Sequence, residues 1–146
     1  MTTGLFLVHT FTTLAMTGVI WFVQLVHYPL FEKVGSDHFV AYEKAHMHRT
    51  GMLVMPLMFG ELLTGILLCF LGVQGIFQHL LWIGLGLIGI NWLITFLLFV
   101  PMHRALSQKF SLSLCRRLVY FNWLRTAVWS LRSILLSWGI YALSQH

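Results

Sequence analysis

Three charged side chains stand where an otherwise apolar chain should have none: Glu61, Arg125 and Arg132. Each interrupts a long run of hydrophobic residues, and on translocon scales a central charge costs about 2.5–3.5 kcal/mol against lipid. They are therefore expected to face one another inside the protein, as an Arg–Glu–Arg cluster. Around Arg125 and Arg132 the spacing is helical. At 100° per residue, Asn122, Arg125, Trp129 and Arg132 form one stripe carrying an amide, two guanidiniums and an indole. Gln24 and His27, three residues apart, share a second face. His46, His103 and Asn91 add polar groups on other segments. Two guanidiniums beside a Trp suit an anionic or phenolate oxygen on an aromatic ring, through charge-assisted hydrogen bonds and cation–π contact. His27, His46 or Glu61 would then handle protons as catalytic groups. Gln24, Asn122, Arg125, Trp129 and Arg132 would hold the substrate. Histidines from separate helices also suit a metal or haem, with His27, His46 and His103 as the candidates, although their spacing specifies no particular metal. His46 and His48, two residues apart on a helix, point to different faces and do not ligate one ion together.

The elements that position these groups follow from composition. Hydrophobic residues make up 58% of the 146 positions and charged residues 9%, with a mean hydropathy of +0.82. Soluble domains carry about 25% charged residues, so the chain reads as an integral membrane protein. Its net charge of +5 sits in loops beside apolar runs, which explains the basicity without nucleic acid. The spacing predicts four transmembrane helices in one domain, spanning about 5–28, 51–72, 77–100 and 118–143. Glu32 to Arg49 and His103 to Arg117 are read as charged loops, and Gly72-Val73-Gln74-Gly75 as the second turn. Pro101 is expected to end the third helix. The amino-terminal segment lacks a basic n-region and is read as a retained helix rather than a signal peptide. Cys69 and Cys115 have neither disulfide nor thiolate-metal spacing.

A weak repeat runs through the chain. Val26-His27-Tyr28-Pro29 closes the first span, and Phe99-Val100-Pro101-Met102-His103 closes the third. Arg49-Thr50 and Arg125-Thr126 open the other two. The pattern suggests two similar helical hairpins in parallel. His9, His79 and His146 are read as interfacial side chains. Trp21, Trp82, Trp92, Trp123 and Trp138 are read as lipid-facing or packing residues.

Gln24-x-x-His27-Tyr28-Pro29-Leu30-Phe31, Tyr42-x-x-x-His46-x-x-Arg49, Pro101-x-His103-Arg104 and the stripe from Asn122 to Arg132 resemble a family of bacterial four-helix membrane proteins without an assigned activity. At a greater distance they are similar to anthrone oxygenase-like proteins. The resemblance implies an oxidoreductase acting on a hydrophobic aromatic or quinone-like molecule in the bacterial inner membrane, without a bound cofactor. A non-catalytic accessory or assembly protein and a haem- or metal-binding protein are the alternatives. The partners implied are the lipid bilayer, a hydrophobic small molecule, and another copy or a second membrane protein.

Lys33, Lys44, Arg49, Arg104, Lys109, Arg116 and Arg117 all lie in the first and third loops, which places both loops in the cytoplasm and both termini outside. A compartment-sensitive reporter fused to the carboxyl terminus is expected to give the extracytoplasmic signal; a cytoplasmic one would reverse the orientation.

Overall fold

A computed structural model describes residues 2–71 and 76–145. The turn expected at Gly72-Val73-Gln74-Gly75 and the side chain of His146 lie outside the described residues. The fold is all-α: helices α1 (Thr3–Lys33), α2 (Ser36–Phe70), α3 (Ile76–Leu106) and α4 (Leu112–Ser144). The first three are long and apolar enough to cross a membrane. The fourth matches them in length but carries Arg125 and Arg132. Helix α1 packs on α2, α2 on α3, α3 on α4, and α4 back on α1, which closes a four-helix bundle. The hairpins α1–α2 and α3–α4 make the most extensive contacts.

The helices outrun the apolar segments. Helix α2 begins at Ser36, so most of the stretch expected to be a charged loop is helical, and α3 runs through Pro101 to Leu106. Hydropathy marks where hydrocarbon begins and ends, whereas a helix continues for as long as its backbone hydrogen bonds can be made. Charged residues such as Lys and Glu are good helix formers. The prolines are accommodated locally. Proline lacks an N–H and its ring presses on the carbonyl four residues back. In α1 a π-helical segment over Val23–His27 stands two residues before Pro29, and in α3 one over Thr95–Phe99 stands two residues before Pro101. The wider π turn gives the ring its space and absorbs the register change that a proline otherwise expresses as a break. The repeat seen in the sequence is thus a repeat of backbone form. Helix α1 ends in a short 3-10 turn over Phe31–Lys33. The chain then reverses at Gly35, whose φ of +81° suits a residue without a Cβ. The Ser111 hydroxyl caps α4 by accepting from the Leu114 N–H.

The bundle is apolar outside and polar inside. Phe11, Phe70, Leu97 and Tyr120 are exposed, while Gln24, Glu43, Glu61, Asn91, Asn122 and Arg132 are buried. Trp21, Trp82, Trp123 and Trp138 face outward and only Trp129 is wholly enclosed. Three apolar layers fill the interior. One surrounds Phe31, Phe39 and Phe99; a central one contains Met16, Ile20, Met58 and Trp129; a third contains Leu68, Phe77 and Leu81. Cys115 belongs to the first layer and Cys69 to the third, so both thiols are free.

Helices α3 and α4 pack closely at Gly139, where an added Cβ would lie 2.6 Å from the Phe77 ring. Overpacking of this kind costs about 1–3 kcal/mol, against roughly 1 kcal/mol gained from alanine's helix propensity. Gly139→Ala is expected to lower the thermal unfolding midpoint in detergent. Gly89→Ala, where a Cβ meets nothing within 4 Å, should leave it equal or raise it.

Candidate metal centre

Two buried polar groups lie at different depths of the bundle. The first gathers around the proline ends of α1 and α3 and the beginning of α2. Glu43 and His46, three residues apart, fall on one face of α2. Behind its π segment and Pro101, α3 presents His103 to that face; at the end of the π segment before Pro29, α1 presents His27 and then Tyr28. Glu43 is fully buried, and its Oε1 lies 2.5 Å from His103 Nδ1. The other nitrogen of His103 is 2.9 Å from the Tyr28 hydroxyl. His46 Nδ1 meets His27 Nε2 at 2.7 Å and the Thr50 hydroxyl at 3.0 Å, which leaves its Nε2 available. One donor atom each from Glu43, His46 and His103 lies within 4.8 Å of the others. The second carboxylate oxygen of Glu43 is buried without a hydrogen-bond partner.

Among the proposed histidine ligands, His46 and His103 therefore come together, while His27 stands behind His46 as its hydrogen-bond partner. Glu43 was not among the expected site residues, because it sits in the stretch read as a loop. The signal was present all the same. Glu43-x-x-His46 is the i, i+3 carboxylate–histidine pair that helical bundles use to ligate metals, and it has meaning only if the segment is helical.

The second group lies deeper along α2 and α4. Glu61 Oε1 pairs with Arg132 Nη1 at 2.8 Å, and its Oε2 accepts from Trp129 Nε1 at 3.2 Å. Arg132 also donates to the Thr13 hydroxyl at 3.2 Å and faces His9 Nε2 at 3.5 Å, while His9 Nδ1 reaches Thr64 at 2.9 Å. His9, expected at the interface, is instead buried as part of this network. The expected Arg–Glu–Arg cluster is a pair. Arg125 forms no ion pair among the described residues and stacks over Phe99 and Trp129, with ring centroids 4.6 and 5.3 Å away. Trp129 occupies the space between Arg125 and Glu61, donating to the carboxylate with its edge and meeting the guanidinium with its face. Gln24 and Asn122, expected to touch substrate, bond each other at 3.0 Å, and Gln24 donates onward to the Val119 carbonyl. They tie α1 to α4.

Comparison with protein-family models, with curated proteins and with solved structures finds no match to this chain.

Removing one member of a buried ion pair leaves the other charged and unsolvated, at a cost of about 3–5 kcal/mol. Arg132→Leu is expected to destabilise the protein by that amount in detergent unfolding. Adding Glu61→Leu should recover most of it, because the deserted carboxylate then disappears as well.

Proposed function

We propose that this is a metal-binding membrane protein whose centre is formed by Glu43 and His46 of α2 and His103 of α3. The carrying observation is the convergence of two buried donors and a half-buried third from two helices on one point, with a carboxylate oxygen that no group among the described residues satisfies. Two histidines and one carboxylate bind first-row divalent metals, and as a facial set with open positions they are the ligands of non-haem iron oxygenases. Ligand bonds of about 2.0–2.2 Å set neighbouring donors roughly 3 Å apart, so Glu43 and His103, whose atoms now stand 2.5 Å apart, would part slightly to admit an ion. An ion would take the place of the Glu43–His103 hydrogen bond. Tyr28 would then orient His103, and His27 with Thr50 would orient His46, as second-shell partners of metal-bound imidazoles do. The ion supplies Lewis acidity and, if redox-active, electron transfer; the protein supplies donor geometry and an apolar surround.

The donor set also supports a second, narrower reading, that of an oxidoreductase acting on a hydrophobic substrate, in line with the resemblance of the motifs to oxygenase-like proteins. A cavity beside His46 and His103 favours it. In this reading Glu61 and Arg132 shape the bundle, and the chemistry belongs to the first polar group. In this reading that group lies toward the cytoplasmic face of a bacterial inner membrane, the side that the positive-inside rule assigns to the basic segments.

Protein purified in detergent without chelator is expected to contain close to one equivalent of a transition metal by elemental analysis. Glu43→Gln, His46→Ala and His103→Ala should each reduce it to a small fraction, and His48→Ala, at an exposed position one turn-face away, should not. Metal-free wild type that cannot be loaded with iron, manganese, zinc or copper would overturn the proposal. An absorbance band in the visible region separates a redox-active ion from zinc.

A further inference from the structure

Beside the proposed centre, and resting on that reading for its role, is a cavity of about 170 Å³ whose wall includes His46, His103, Tyr28, Phe99 and Arg125. We infer that this cavity binds a single aromatic ring bearing an acceptor oxygen, of the phenol or monocyclic quinone class, with the oxygen held by Arg125.

The guanidinium makes the first part of the case. Arg125 is 6% exposed, lines the cavity, and has no ion pair among the described residues. Its Nε–H is buried without a hydrogen-bond partner. Tyr28 lies near it, with its hydroxyl also engaged by His103. A buried guanidinium with spare donors is an expensive feature unless something completes it. An oxygen acceptor in the cavity does so through a charge-assisted bond. Arg132, by contrast, has its carboxylate and needs no ligand.

The walls make the second. Apart from the polar groups at one end, the lining is apolar, and Met16, Met47, Met55 and Met58 all contribute to it. Thioethers pack favourably against the edges of aromatic rings and adapt to their shape. The volume sets the size. A cavity of about 150 Å³ accepts one benzene ring, so the space here matches one ring and neither three fused rings nor a porphyrin. Gly51 lies at the wall, and a Cβ there would meet nothing within 4 Å, so the cavity has unoccupied room on that side. Met47 beside it is exposed on the outer surface of α2. An alkyl tail on the ring would leave along this side toward the bilayer. A ring seated on Arg125 would lie alongside the imidazoles of His46 and His103, within reach of an ion held there.

Three probes separate the possibilities when their saturable binding to the purified, metal-loaded protein is measured by equilibrium dialysis in detergent. The probes are 4-hexylphenol, anthracen-2-ol and decanoate, the last carrying an anionic oxygen and no ring. The expected result is one saturable site per chain for 4-hexylphenol, with the tricyclic phenol and the fatty acid each at least tenfold weaker. Arg125→Gln is expected to weaken 4-hexylphenol at least tenfold. Gly51→Leu, which adds bulk at the cavity wall from a position where a Cβ meets nothing within 4 Å, should do the same and provides the answer if Arg125→Gln fails to fold. Equal binding of anthracen-2-ol, equal binding of decanoate, or unchanged affinity in Gly51→Leu would each overturn the inference. So would the absence of a saturable site in the wild type. Metal content determined on the same samples keeps the two proposals apart: phenol binding in protein that takes up no metal would remove the centre and leave the cavity assignment standing, and the converse result would do the opposite.

Discussion

Hydrocarbon solvates neither a guanidinium nor a carboxylate, and the arrangement of this bundle follows from that constraint. With an apolar exterior, every charge placed within the helices must find its partner on a neighbouring helix. Glu61 on α2 and Arg132 on α4 do so directly, and Thr13, His9, Thr64 and Trp129 complete their remaining hydrogen bonds. Helices α1, α2 and α4 are thereby tied at one depth by polar contacts, and packing of the central apolar layer follows from that register. Apolar burial alone would be a weak guide, since lipid tails are as apolar as leucine.

Against this background the environment of Arg125 is different in kind. It shares α4 and the same stripe with Arg132, seven residues earlier, yet its neighbours are the faces of Phe99 and Trp129 and no carboxylate. Cation–π contact compensates a desolvated charge in part. Arg125 also lines the cavity by His46 and His103, so the two arginines of one stripe stand in different surroundings, one beside a carboxylate and the other beside aromatic faces and a cavity. Trp129 serves both, because its indole edge donates to Glu61 while its face receives Arg125.

The proline-bearing ends of α1 and α3 connect the backbone to the chemistry. A π segment before each proline rotates the residues that follow it relative to the rest of the helix. In α1 this concerns Tyr28, with His27 closing the π segment itself, and in α3 it concerns His103, the groups that meet Glu43 and His46 across the bundle. Backbone irregularity concentrated at a polar cluster is a common companion of function, and here it occurs twice, at equivalent places in the two hairpins.

Composition and charge spacing by themselves determined the number of helices, the inward direction of the α4 stripe and the outward direction of most tryptophans, because lipid sorts side chains by polarity and a 3.6-residue repeat reports the face directly. The pairing of Glu61 with an arginine of α4 was legible for the same reason. Which arginine was not: depth along a helix leaves Arg125 and Arg132 both within reach, and only the position of Trp129 between Arg125 and the carboxylate decides it. Nor was Glu43 legible alone, because its spacing to His46 has meaning only on a helix. A carboxylate among charged neighbours looks solvated until α2 is seen to extend back to Ser36 and turn that residue inward. Pro101 was likewise misleading, since a proline ends a helix only where the backbone cannot widen, and the π segment before it carried α3 on to His103. The site depends on contacts between residues as far apart as Tyr28, Glu43 and His103, and such contacts are set by how helices are rotated and offset against one another, a property that no local pattern in the chain records.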